Sequence, residues 1–257
     1  MRLVVLGSGT SFGVPVIGCD CRVCRSEDPR DHRTRVAAVI EGNDGRRVLI
    51  DTPPELRLQL VREGIDGVDA VLYTHDHADH VHGIDDLRAL SVRRGRVDVY
   101  GPPDAIERIA ARFPYIFDER VAPPPGTSKP ELCAAPLPPG AEVEIAGVPI
   151  LPLELDHGGT PVYGYRAGAV AYLTDVKSVP QHAMDSLKGV RFLVINALFE
   201  KPHPTHLSIG EAVEIARRLE VEAAYLTHLT HRYSHEALRN RLPEGVEPAY
   251  DGLVISF

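Results

Sequence analysis

The stretch Thr74-His75-Asp76-His77-Ala78-Asp79-His80 holds five potential metal ligands within six consecutive residues. The apolar run at residues 68–73 leads straight into it and predicts a buried strand. Three histidines and two aspartates cannot pack in a dry core without partners, because burying unpaired polar groups is costly. Imidazole suits Zn, Fe and Mn, and carboxylates widen the choice of ion. The stretch therefore predicts a metal site where this strand ends.

Three later strands also end at a residue that can bind metal. The predicted strand at residues 148–155 is followed by His157, that at 170–173 by Asp175, and that at 223–226 by His228. Strand ends that meet at one edge of a sheet build a site from distant sequence, so we expect these side chains to complete a two-metal site. Asp51 follows the strand at residues 48–50 in the same way.

A second cluster near the N-terminus is rich in cysteine. Cys19, Cys21 and Cys24 form a C-x-C-x-x-C pattern that suits a thiolate metal site. Such a site needs a fourth ligand to close a tetrahedron, and Cys133 is one candidate for it. A redox pair and three inert thiols are the alternative interpretations.

Length and composition fit one large globular domain or two small ones, and we predict the single domain. The 257 residues are 44% hydrophobic and 25% charged, and this fits a single domain over residues 1–257 with a Pro-rich surface excursion at 114–140. The net charge of −8 and the lack of a basic stripe argue against a large nucleic-acid surface. The N-terminal apolar run is too short for a signal peptide and no run could span a membrane. We therefore expect a cytoplasmic protein with reduced cysteines.

Two further histidines lie in one loop. His203 and His206 follow the predicted strand at residues 192–195. Ser208 and Glu211 then form a capping box, which predicts the start of a helix directly after this loop.

The histidine and aspartate set resembles that of the metallo-β-lactamase superfamily over nearly the whole chain. The resemblance implies an α/β (α+β) fold, an αββα sandwich with the metals at one edge. It also implies that His75, His77 and His157 bind one ion, that Asp79, His80 and His228 bind the other, and that Asp175 bridges them.

The N-terminal block narrows the resemblance. Residues 7–15, Gly-Ser-Gly-Thr-Ser-Phe-Gly-Val-Pro, followed by the three cysteines, look like the PhnP-like phosphodiesterases of the carbon–phosphorus lyase pathway. In that group a histidine three residues beyond the last active-site histidine completes a structural zinc site, which here implies Cys19, Cys21, Cys24 and His231. The resemblance also assigns substrate contact to His206, with His203 as a competitor.

These features predict a phosphodiesterase. Two divalent ions, Zn or Mn, would lower the pKa of a water, and the resulting hydroxide would attack the phosphorus of a small cyclic phosphodiester. His206 would protonate the leaving alkoxide, while Asp79 and Asp51 would orient ligands. No membrane partner is expected, and only the resemblance suggests a homodimer.

Three rival functions remain open. A tRNA 3′-end processing endonuclease (RNase Z-like) shares the ligand set, but no basic, protruding insert is evident. A non-hydrolytic, zinc-stabilised biosynthetic accessory protein (PqqB-like) would be expected to have a broken ligand set, whereas this set is intact. A thioesterase of the glyoxalase II type fits the metals but not the cysteine block.

Overall fold

The apolar runs of the sequence form two seven-stranded sheets in a computed structural model that describes residues 1–257. The first sheet has, in spatial order, β14 (Val254–Ser256), β1 (Arg2–Gly7), β2 (Ala37–Glu41), β3 (Arg47–Ile50), β4 (Ala70–Leu72), β5 (Val97–Gly101) and β6 (Leu132–Pro136). The second has β13 (Val246–Pro248), β12 (Ala223–Thr227), β11 (Phe192–Asn196), β10 (Val170–Leu173), β9 (Pro161–Ala167), β8 (Val148–Asp156) and β7 (Val143–Ile145).

The two sheets pack face to face, and helices cover both outer faces. Side chains alternate along each strand, so in β1 Leu3 and Val5 enter the core between the sheets, while Val4 and Leu6 face the helices. Both faces of each sheet are thus buried, as the continuous apolar runs predict. This arrangement confirms the predicted αββα sandwich.

Eight α-helices form the outer layers and part of the loops. They are α1 (Leu56–Arg62), α2 (Ala78–Val81), α3 (Leu87–Arg94), α4 (Pro103–Arg112), α5 (Pro114–Phe117), α6 (Gln181–Ser186), α7 (Ile209–Leu219) and α8 (His235–Arg239). The predicted capping box of α7 is confirmed, because Ser208 accepts from the backbone N–H of Glu211 and the Glu211 side chain accepts from the N–H of Ser208. No helix is both long and apolar enough to cross a membrane.

The Pro-rich stretch at 114–140 is more ordered than its composition predicts. It contains α5 and then β6, which pairs in parallel with β5 from Leu132 to Pro136. Residues 119–128 between them are exposed. Pairing with β5 satisfies backbone N–H and C=O groups of residues 132–136, and the Pro-rich local sequence does not predict this pairing. The surface excursion is therefore shorter than expected.

Parallel pairing brings the important strand ends to one place. In the first sheet β3 and β4 run parallel, and in the second β10, β11 and β12 do. Their carboxyl ends, and the turn after β8, lead to Asp51, Thr74, His157, Asp175 and His228.

Candidate metal centre

The first group of predicted ligands combines two histidines of the loop after β4 with one from the turn after β8. One potential ligand atom from each of His75, His77 and His157 lies within 4.8 Å of the others. The ring centroids of His75 and His77 are 4.4 Å apart, and those of His77 and His157 are 5.4 Å apart. Three imidazoles that converge in this way match the predicted site for one ion.

The second group lies beside the first. Asp79, His80 and His228 bring one potential ligand atom each to within 4.8 Å. The Asp175 carboxylate lies between the groups, with Oδ2 at 3.2 Å from His80 Nε2 and Oδ1 at 3.3 Å from His228 Nε2. Asp175 also shares a cluster with His75, so its carboxylate occupies a bridging position.

Hydrogen bonds select the ring nitrogen that each buried histidine turns to the centre. His80 Nδ1 lies 2.7 Å from Asp51 Oδ2, and His157 Nδ1 lies 2.7 Å from the carbonyl of Thr205. Carboxylates and carbonyls only accept, so both Nδ1 atoms carry the proton. The Nε2 atoms of His80 and His157 are therefore the ones that face a cation. At His80 a metal would displace a proton, because Asp175 and Asp51 outweigh burial and raise the pKa of this ring well above its usual value.

Asp51 is the buried carboxylate that organises this part of the loop. It is fully buried and accepts from the backbone N–H and the hydroxyl of Thr74, both at 2.8 Å, as well as from His80. The Thr74 oxygen in turn lies 3.0 Å from His75 Nδ1. Asp51 therefore orients His80 directly and His75 through Thr74, which is the ligand-orienting role predicted for it.

Three residues of the centre have unusual backbone geometry. Asp51, Asp175 and His228 have φ values of 62°, 55° and 58°, and they are three of only five non-glycine residues with positive φ. Such conformations cost of order 1–3 kcal/mol each and cluster at functional sites.

Burial and charge set the protonation of the ligands. Burial lowers the pKa of His75 well below its usual value and that of His228 to about 4, so both stay neutral and able to bind metal. Burial also raises the pKa of Asp51. Burial opposes the charge on Asp175, yet the imidazoles that surround the carboxylate outweigh burial and hold the pKa of Asp175 well below its usual value.

The donor set fits two divalent ions. The buried Nε2 atoms of His75, His80 and His228 have no hydrogen-bond partner. Buried polar atoms are rarely left unpaired, and these aim at the space shared with Asp79 and Asp175. Cations at this position would satisfy all of them.

His206 reaches the centre and His203 lies behind it. His206 Nε2 is 2.9 Å from Asp175 Oδ1, and its ring stacks on His228 at a centroid distance of 4.7 Å. His203 contacts His206 instead, with their Nδ1 atoms 3.4 Å apart. The structure thus places His206, rather than His203, against the bridging carboxylate.

Asp76 belongs to the quoted histidine stretch but turns away from the centre. Its carboxylate pairs with two arginines of α4, at 3.1 Å from Arg108 Nε and 3.0 Å from an Arg112 terminal nitrogen. These ion pairs tie the histidine loop to α4. Nothing in the local sequence reveals them, because α4 begins 27 residues after Asp76.

The cysteine cluster meets His231. The Sγ atoms of Cys19, Cys21 and Cys24 lie 3.3, 3.5 and 3.4 Å from His231 Nδ1. Zn–S and Zn–N bonds of ordinary length around a tetrahedral ion place such atoms about 3.6 Å apart. The four side chains therefore fit one structural zinc ion, and Cys133 lies elsewhere, on β6.

Arg33 is buried and anchors the loop after β12, which links the two sites. No sequence pattern predicted this role. The Arg33 side chain is fully buried and pairs with Asp31 at 3.2 Å. It donates to the carbonyls of Thr230 and Tyr233, on either side of His231. Asp251 similarly accepts from the N–H and hydroxyl of Ser8, and the Ser8 carbonyl accepts from Leu229.

Known proteins share this architecture and much of this sequence. A family described as "Beta-lactamase superfamily domain" matches residues 46–229. A solved structure described as a new diphosphatase from the PhnP family is 41% identical, with a TM-score of 0.90, and the alignment covers 100% of this chain and 97% of that one. The chain belongs to the beta-lactamase superfamily, and within it to the PhnP family. The predicted resemblance is confirmed.

Two curated relatives broaden the comparison for this PhnP-family chain. A Porphyromonas gingivalis protein named octanoyltransferase is 41% identical over 98% of this chain but only 51% of its own length. The chain therefore spans about half of that relative. A ribonuclease Z from Methanopyrus kandleri is 28% identical, over 88% of this chain and 93% of its own length.

Proposed function

We propose that this PhnP-family chain is a metal-dependent hydrolase that cleaves a small cyclic phosphodiester. The observation that carries the proposal is the pair of ligand groups that converge on Asp175, with His206 held 2.9 Å from the same carboxylate. The diphosphatase named among its relatives works on phosphoryl groups, which supports this reaction class.

The residues divide into two ion sites and one structural site. We assign His75, His77 and His157 to one ion, Asp79, His80 and His228 to the other, and Asp175 to both. When bound, two such ions, Zn or Mn, supply a strong nucleophile at neutral pH and offset the charge of the phosphoryl oxygens. Cys19, Cys21, Cys24 and His231 hold a separate zinc.

His206 is the residue best placed to donate a proton. Ionised Asp175 only accepts, so the 2.9 Å contact requires the proton of His206 to be on Nε2, facing the centre. Thr205 Oγ1, 2.8 Å from His206 Nδ1, fixes the other side of the ring. In this position a doubly protonated His206 would give its Nε2 proton to the leaving alkoxide of a bound phosphodiester and remain as a neutral ring with its proton on Nδ1, a contribution typically worth 10²–10⁴-fold in rate.

Asp79 and Asp51 support this chemistry from two sides. Asp79 Oδ2 lies 3.5 Å from His80 Nε2, where it adds negative charge to the second ion site. Asp51 holds the other nitrogen of the same ring. We therefore assign ligand orientation to Asp51 and both orientation and charge to Asp79.

An assay of substrate classes tests the proposal. Bis(p-nitrophenyl) phosphate and 2′,3′-cyclic nucleotides are incubated with the protein loaded with Mn²⁺ or Zn²⁺, alongside a His77→Ala variant. We expect cleavage by the wild type and none by the variant. Cleavage of a lactam or a thioester without any phosphodiester hydrolysis would refute the proposal.

Diphosphate hydrolysis is the second candidate. The PhnP-family relative named a diphosphatase favours it, and the same two ions would serve a phosphoanhydride. Comparing ADP-ribose with a 2′,3′-cyclic nucleotide as substrates separates the two. A pre-tRNA cleavage assay addresses the ribonuclease Z likeness, and retained fold with no hydrolysis of any of these would favour the accessory-protein alternative.

A further inference from the structure

The middle strand of three parallel strands supplies no ligand to the metal centre. The strands β10, β11 and β12 run parallel, and β11 lies between the other two. The outer strands lead to Asp175 and His228, whereas β11 ends at Asn196, whose side chain is fully buried. Because buried amide groups are normally hydrogen-bonded, the partner of Asn196 indicates what this residue does.

The Asn196 side chain binds the backbone of the turn that carries Asp175. Its Oδ1 atom accepts from the backbone N–H of Val176, the next residue after Asp175, at 2.7 Å. A backbone N–H only donates, so this contact decides which side of the amide is oxygen. The Asn196 Nδ2 atom has no hydrogen-bond partner. The contribution of this amide is therefore its acceptor oxygen, and Val176 receives it.

Asp175 needs such support because of its backbone conformation. Its φ of 55° lies in the left-handed region, which residues other than glycine rarely adopt. Conformations of this kind persist only where the surrounding structure holds them. A second hydrogen bond, from Thr174 Oγ1 to Asp175 Oδ2 at 2.8 Å, fixes the carboxylate itself. Asn196 therefore holds the backbone of Asp175, and Thr174 holds its side chain.

Val176 also anchors the loop that carries His206. The Val176 carbonyl accepts from the backbone N–H of Leu207, the residue after His206, at 2.8 Å. His206 Nε2 in turn lies 2.9 Å from Asp175 Oδ1. Because Val176 is bonded to Asn196 on one side and to Leu207 on the other, the Asn196 contact supports Asp175 and His206 together.

The end of β11 anchors His228 on its other side. Asn196 pairs with Thr227 of β12, and the backbone N–H of Ala197 donates to the Thr227 carbonyl at 2.9 Å. His228 follows Thr227 and is also left-handed, with a φ of 58°. Two consecutive residues of β11 therefore hold the turns on both neighbouring strands.

We propose that Asn196 is a positioning residue of the metal centre, which holds Asp175 between the two ion sites through the backbone of Val176. The inference rests on the proposed function for the assignment of Asp175 to both ions. It adds a residue that binds neither ion, because its oxygen is already used by Val176. Partners that orient metal ligands are typically worth about 10- to 100-fold in metal affinity.

Competition with a chelator for the zinc ions of the centre tests this role without relying on turnover. Asn196→Ala leaves the Val176 N–H without an acceptor, so we expect zinc affinity to fall about tenfold or more. Asn196→Asp keeps an oxygen at the position of Oδ1 and should bind zinc within about threefold of the wild type. Elemental analysis should find the zinc of the cysteine cluster retained in every variant.

Ser91→Ala is the matched control. Ser91 is buried, and its hydroxyl oxygen accepts from the backbone N–H of Glu131 at 3.1 Å, without contacting any predicted ligand. Calorimetry of the metal-free proteins should show that Ser91→Ala and Asn196→Ala both melt below the wild type. Only Asn196→Ala should lose zinc affinity. If Asn196→Ala does not fold, Asn196→Ser replaces it, because its hydroxyl is one bond too short to reach Val176 and should cause a similar loss.

Three results would overturn the positioning role of Asn196. They are unchanged zinc affinity in Asn196→Ala or its serine replacement, an equal loss in Ser91→Ala, and an equal loss in Asn196→Asp. If zinc affinity falls as expected while the wild type cleaves no phosphodiester, the proposed function fails and the positioning role stands.

Discussion

At the scale of single residues, the orientation of His80 depends on one buried carboxylate. Asp51→Asn preserves shape, but its amide nitrogen would face either the Nδ1–H of His80 or the backbone N–H of Thr74, both of which need an acceptor. We expect metal affinity to fall 10- to 100-fold, as is typical when such a partner is lost. Competition with a chelator measures this.

The matched control for Asp51→Asn is Asp251→Asn. Asp251 is also a buried hydrogen-bonded carboxylate, but its partners are Ser8, Thr34 and Arg62 rather than proposed ligands. Equal losses of metal affinity in the two variants would show that Asp51 acts through general stability alone.

His206 and His203 provide the second comparison at this scale. We expect His206→Ala to lower kcat for a phosphodiester by 10²–10⁴-fold while both metal sites stay loaded, because it removes the proton donor. His203→Ala should lower kcat much less, since His203 touches His206 and not Asp175. Steady-state kinetics and elemental analysis measure both effects. A larger loss in His203→Ala would reverse the assignment, and loss of metal in His206→Ala would make His206 a ligand.

The candidate ligands were predictable because each one lies at the end of an apolar strand or in the loop that follows it. The residues that hold these ligands and their loops in place were not predictable. Asp76 sits among the ligands in sequence, yet its partners Arg108 and Arg112 are on α4. Arg33 looks like a surface residue, yet it is fully buried against the carbonyls of a distant loop. Such contacts depend on how elements pack, which no local pattern encodes.

At the scale of elements, α4 acts as a clamp on the histidine loop. We expect the double variant Arg108→Gln/Arg112→Gln to weaken metal binding about 3- to 10-fold, because partly exposed ion pairs contribute only up to about 1 kcal/mol each. Arg217→Gln removes a comparable helical arginine, paired with Glu214 on α7, and should leave metal affinity unchanged. Chelator competition that finds no difference between these variants would contradict the clamp.

Long apolar strands were predictable and short edge elements were not. The paired strands β2 and β3 and the capped helix α7 follow their sequence signals closely. In contrast, β6 ends in proline and has two alanines, and β13 has only three residues. Both are strands because a neighbouring strand offers them a hydrogen-bonded edge.

At the scale of the whole molecule, the cysteine cluster joins the two ends of the chain. Cys19 and His231 are 212 residues apart in the sequence. Closing so long a loop stabilises a fold by about 2–4 kcal/mol in cross-linked proteins, so Cys21→Ser should lose one zinc ion and melt about 5–15 °C lower. Calorimetry with elemental analysis tests this, with Cys133→Ser as the control that keeps zinc and melting temperature. A Cys21→Ser protein that retains its zinc would contradict the assignment.

The closure between the cysteines and His231 could not be found from the residues alone. The spacing of the cysteines indicated a metal and a missing ligand, and only family resemblance pointed to His231. The cysteines meet His231 because the turn after β1 lies against Leu229, and this contact forms only when the two sheets pack together.

The loop after β12 carries His228 and His231 with only Leu229 and Thr230 between them. One histidine faces the candidate metal centre and the other faces the cysteines, so we expect a change at one centre to constrain the other during evolution. A homologue without the cysteines must hold residues 228–231 in place by other contacts, or it loses the metal ion that we assign to His228. We therefore expect relatives without the cysteine block either to have other side chains near Arg33 that hold the loop after β12, or to lack a histidine at the position of His228. A sequence comparison across such relatives tests this expectation.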